Sequence, residues 1–73
     1  MKASEAADAA LAELTRARQK WPAGFHSGHE GYAVIKEELE ELWEAVRRDD
    51  VPAQRAEAVQ IAAMALRFLT DVS

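Results

Sequence analysis

Between Lys36 and Arg48 the chain reads KEELEELWEAVRR, which sets Glu37, Glu38, Glu40, Glu41 and Glu44 close together. On a helix the neighbours of a residue lie three and four positions away, and an opposite charge there contributes about 0.2–0.5 kcal/mol. Each acid can therefore be checked for a cation of its own. Glu44 has Arg47 and Arg48, and Glu40 has Lys36, so both read as solvent residues. Glu37, Glu38 and Glu41 have only apolar or acidic neighbours at those spacings. Glu38 also falls beside the apolar side of the helix near Leu42 and Ala45, with Glu41 one step further round. An unpaired carboxylate at a core edge is costly unless something positive meets it. A hard divalent cation would satisfy the pair.

A second acid has the same anomaly. Glu57 is followed at helical spacing by Ile61, Met64 and Phe68, so it stands within an apolar stripe, and its neighbours Ala53, Gln54, Gln60 and Ile61 carry no charge. Two plainer alternatives stand beside a metal: the first cluster is a solvated charge run, and Glu57 meets an arginine from another helix. Two inward-facing acidic groups on successive helices favour oxygen coordination of Mg²⁺ or Mn²⁺. His26 and His29 are three residues apart, but they straddle the start of a helix that leaves His26 outside, so the two rings need not converge on a metal.

Three helices must position these groups. Ser4 can cap the first, which runs to about Lys20 with Ala7, Ala10, Leu11, Leu14 and Ala17 as an inward stripe. Trp21-Pro22-Ala23-Gly24 ends it, because proline restricts the residue before it and glycine suits a left-handed turn. Ser27 and Glu30 have the spacing of a capping box, so a second helix runs from about Gly28 to Arg48 with Tyr32, Ile35, Leu39, Leu42, Trp43 and Val46 as its apolar face. Asp49-Asp50-Val51-Pro52 breaks the chain and starts a third helix, about Val51 to Asp71. Its apolar residues, among them Val59, Ile61, Met64, Leu66, Phe68, Leu69 and Val72, cover more than half its circumference, which calls for neighbours on several sides. The expected fold is all-α: residues 1–73 form a single three-helix domain, an antiparallel bundle completed by oligomerisation.

Composition agrees and excludes alternatives. The chain has 73 residues and a formal net charge of −4. That balance disfavours a nucleic-acid polymer or an anionic membrane surface as partner, since phosphate binding needs an excess of Lys and Arg. With no cysteine, neither a disulfide nor a thiolate zinc site can staple a chain so short, and self-association is the remaining remedy. Glu5, Asp8 and Glu13 interrupt the alanine-rich start, so it lacks the apolar centre of a signal peptide. The run IAAMAL is too short to span a bilayer. A cytoplasmic protein is expected.

EELEEL, followed by EAVQ on the next helix, resembles the metal-binding signature of the MazG-like all-α nucleoside triphosphate pyrophosphohydrolases, a Glu-Glu-x-x-Glu segment and a Glu-x-x-Asp segment. The resemblance covers roughly Ser27 to Asp71, with a weaker echo in RQKW at the end of the first helix. It implies Mg²⁺-dependent (Mn²⁺ possible) hydrolysis of a nucleoside triphosphate to the monophosphate and pyrophosphate, by a homodimer or homotetramer. In that picture Glu38, Glu41 and Glu57 ligate the metal, and Glu37 is an outer acid or water-activating base. Gln60 stands where the family usually has aspartate, offering one neutral oxygen without the charge. Lys20 is placed to meet phosphate, Trp21 to stack on a base or plug the helix end, and His29 to touch substrate. The alternative is a non-catalytic oligomeric helical module, for binding or regulation, whose metal site has decayed.

Overall fold

The structure of the chain, a computed structural model, is described for residues 1–72; Ser73 lies outside the described residues. Among these residues all regular structure is helical: α1 (Ala3–Lys20), α2 (Gly28–Arg47) and α3 (Val51–Asp71). None of the three is long and apolar enough to cross a membrane.

The helix ends follow from local chemistry, with two departures from expectation. Lys2, not Ser4, is the residue before α1; the Lys2 backbone N–H donates to Glu5 Oε1 at 3.3 Å, so an acid in the first turn does the capping and Ser4 lies inside the helix. Gly24 is not left-handed, since no described glycine has positive φ. It is needed for room: a Cβ there would lie 2.8 Å from Asp71 Oδ2. At α2, Glu30 N–H donates to Ser27 Oγ at 3.2 Å, while Glu30 Oε1 accepts from the His26 N–H, one residue further back than the usual box.

The turn between α2 and α3 serves both helices. Asp50 N–H donates to Ala45 O and Asp49 N–H to Val46 O, the paired closure of a Schellman end, with Asp49 left-handed at φ 55°. Asp50 Oδ1 then accepts from Ala53 N–H and starts α3.

α3 is the central element. It packs against both α1 and α2, whereas α1 and α2 make no close backbone approach to each other. Contacts such as Glu13 with Gln60 and Arg18 with Asp71 show α1 and α3 running in the same sense. Gly31 beside Phe68 and Gln54 beside Ala45 show α2 running opposite to α3. The core gathers Ala17, Phe25, Ala63 and Met64, with Leu14, Val34, Ile35, Phe68 and Val72 around them.

The side of α2 that meets α3 is the expected one only at Ile35 and Leu42. Gly31 and Ala45 are buried, and Val34, Ile35, Glu38 and Leu42 are half-buried, so this is the packed face. Tyr32, Leu39, Trp43 and Val46 remain exposed, at 64, 56, 59 and 40%. The physical reason is closeness: a Cβ on Gly31 would come within 2.5 Å of the Phe68 ring, so small residues let α3 approach where larger ones would hold it off. Ala7 and Leu11 of α1 are exposed as well.

Candidate metal centre

Because α1 and α2 both lean on α3 without meeting, a cavity of about 1100 Å³ opens between them. Into it face Glu37, Glu38 and Glu41 from α2, and Glu57 and Gln60 from α3. Lys20 and Trp21, at the end of α1, lie on its wall. Their own contact is a cation–π one, the Lys20 ammonium standing 5.6 Å from the Trp21 ring centre. His29 is exposed and does not line the cavity, whereas His26 and Glu30 do.

Glu38 occupies the middle of the packed face of α2, opposite Glu57 on antiparallel α3. One carboxylate oxygen from each of Glu38, Glu41 and Glu57 lies within 4.8 Å of the others. A Mg²⁺ ion bound at about 2.1 Å from each oxygen needs them no more than about 4.2 Å apart. Side-chain rotation covers that difference. These three acids and Glu37 are also left without cationic partners: among the described residues no ion pair reaches Glu37, Glu38, Glu41 or Glu57. The arginine alternative for Glu57 is thus not observed. Nor does Lys36 pair with Glu40, although Glu44 meets Arg47 at 3.1 Å.

Two further features show the electrostatic tension in the cluster. Glu57 Oε2 is buried without a hydrogen-bond partner. The Glu38 carboxyl is pushed up to about 7, first by burial and then by the adjoining carboxyl groups of Glu57 and Glu41. Burial and like charge both disfavour the ionised form of a carboxyl, so a cation bound among the three acids would relieve the cluster. An all-oxygen donor set of this kind fits a hard divalent cation, not zinc in a thiolate or imidazole shell.

Several lining residues lie outside the expected set. Glu13 and Arg16 face the cavity from α1, and Arg67 from α3. Glu13 has Arg16 three positions on and bonds it at 3.1 Å, so in sequence it resembles an ordinary surface pair. Arg67, 7% exposed, has a structural task. Its guanidinium stacks 4.2 Å from the Phe25 ring centre, and Nη2 donates to Ala23 O at 2.7 Å. Asp71, outside the cavity lining, accepts from the Phe25 N–H at 3.0 Å and from Arg18 Nη2 at 3.1 Å. Those bonds hold the Asp71 carboxyl below the usual range.

Comparison of the chain with models of protein families, with curated proteins and with solved structures found no match in any of the three.

Proposed function

We propose that this chain is a Mg²⁺- or Mn²⁺-dependent nucleoside triphosphate pyrophosphohydrolase of the MazG-like kind, releasing the monophosphate and pyrophosphate. The observation that carries the reading is the convergence of Glu38, Glu41 and Glu57 with a buried, unpartnered Glu57 oxygen, none of the three being in an ion pair among the described residues. When bound, a divalent ion would neutralise phosphate oxygens and lower the pKa of an attacking water. The chain's own groups divide the remaining work. Glu38, Glu41 and Glu57 hold the ion, and Gln60 adds a neutral oxygen. Glu37, on the cavity wall and free of any ion pair, takes the proton of the water. Lys20 meets the phosphate chain from the other side, and Trp21, 58% exposed, offers its face to a base. A metal in the cavity also explains how a chain of net charge −4 admits an anionic substrate.

The active form in this reading is a homo-oligomer. Tyr32, Leu39 and Val46 recur every seven residues on the exposed side of α2, beside Trp43. That is the spacing of a helix seam awaiting another helix. A second copy would bury it.

The test is a panel of nucleoside triphosphates incubated with protein and Mn²⁺, read by pyrophosphate release. Turnover of at least one triphosphate is expected, falling about a hundredfold or more in Glu57→Gln, since losing even a group that only orients a ligand costs about 10–100-fold. Metal binding without turnover of any triphosphate would instead make the chain a binding or regulatory module.

A further inference from the structure

Gln60 is the neutral member of the group at the cavity, and its amide is held from α1. Gln60 Nε2 donates to Glu13 Oε1 at 2.7 Å, and Glu13 Oε2 pairs with Arg16 Nη1 at 3.1 Å. The Glu13 side chain is only 13% exposed, against 76% for Arg16. Glu13, Gln60 and the three acids line one cavity.

An ionised carboxylate accepts hydrogen bonds and cannot donate them. Facing Glu13, the amide of Gln60 must therefore present its NH₂ group, and its carbonyl oxygen is left as the free acceptor. Because Arg16 holds the other oxygen of Glu13, that carboxylate is fixed in turn. An aspartate at position 60 would instead bring two anions face to face, so a donor at 60 and an acceptor at 13 are matched to each other.

We propose that Glu13 is a positioning residue: it locks the Gln60 amide so that Oε1 is offered as a neutral ligand to the divalent cation held by Glu38, Glu41 and Glu57. The proposal rests on reading that cluster as a cation site. Hard cations take amide oxygens as ligands alongside carboxylates. Groups that orient a ligand without touching the metal set its affinity, so losing one weakens binding by about tenfold or more.

The test is Mn²⁺ affinity of the full chain, followed by the electron paramagnetic resonance of free Mn²⁺, with folding checked by circular dichroism. Glu13→Ala is expected to bind Mn²⁺ about tenfold more weakly than the wild type. Glu13→Gln keeps an acceptor for the Gln60 NH₂ group and is expected to stay within about twofold, and Gln60→Ala is expected to match Glu13→Ala. The double variant Glu13→Ala/Gln60→Ala is expected to be no weaker than Gln60→Ala alone, because the two residues act through one bond. A purely structural tie between α1 and α3 would lower the melting temperature and leave the affinity of the folded protein unchanged. That result, or additive losses in the double variant, overturns the positioning role while the carboxylate site stands. If Glu13→Ala does not fold, wild-type affinity in Gln60→Ala overturns it as well. A wild type that binds no Mn²⁺ at millimolar concentration overturns the cation site and this inference together.

Discussion

At the scale of single residues, the acids divide by whether a cation is within reach. Glu44 has one and faces solvent; Glu38 and Glu57 have none and meet across the interface of α2 and α3. This has a pH consequence in the metal-free protein. The folded-state pKa of Glu38, about 7, lies above its ordinary value of 4.5. Between those two values the folded chain holds a proton that the unfolded chain releases, so stability falls as pH rises through that window. With a chelator present, the melting temperature should drop from pH 5 to pH 7.5, and Glu38→Gln should flatten the drop; identical profiles for the two proteins would refute it. Asp71 acts in the opposite sense and below its ordinary 3.8, where stability is lost as pH falls. The unpaired acids were legible in the sequence because helical neighbours are local. Glu13 was not, since its own Arg16 satisfies the same test and its contact with Gln60 spans the chain.

At the scale of elements, the three helices and the breaks between them were legible because caps, proline and aspartate act on their nearest neighbours. The Asp49-Asp50 turn is the clearest case, ending α2 and starting α3 with adjacent residues. The packed side of α2 was not legible, since α2 carries two apolar stripes and local periodicity cannot choose between them. Contact with Phe68 chooses, through the absence of a side chain at Gly31. Gly31→Ala should therefore destabilise the fold by about 1–3 kcal/mol, the usual cost of overpacking, although alanine is the better helix former. Urea unfolding measures it, and a gain in stability would show that the α2–α3 contact is looser than described. Glycine relieves the left-handed Asp49, so Asp49→Gly should not reduce the urea midpoint, whereas Asp49→Val should cost about 1–2 kcal/mol.

At the scale of the whole molecule, the surface is larger than the mass requires. The chain exposes 5238 Å² at 8.1 kDa, where a monomer of that mass typically exposes about 4500 Å². Part of the excess is the open cavity, and part is the apolar stripe of Tyr32, Leu39, Trp43 and Val46. If a second copy covers that stripe, light scattering should give a mass of at least twice 8.1 kDa, and Leu39→Glu/Trp43→Glu should return it to one chain. A wild-type monomer at micromolar concentration would remove the oligomer from the account. A partner is an expectation from the short, cysteine-free chain; which stripe of α2 stays uncovered was not legible, because it depended on which one α3 had already taken. Whether Glu38, Glu41 and Glu57 hold a divalent cation is decided by calorimetric titration of Mn²⁺ into the wild type and Glu57→Gln at pH 7.5. Saturable binding by the wild type and its loss in Glu57→Gln are predicted; equal heats from both proteins, or none from the wild type at millimolar Mn²⁺, would contradict it.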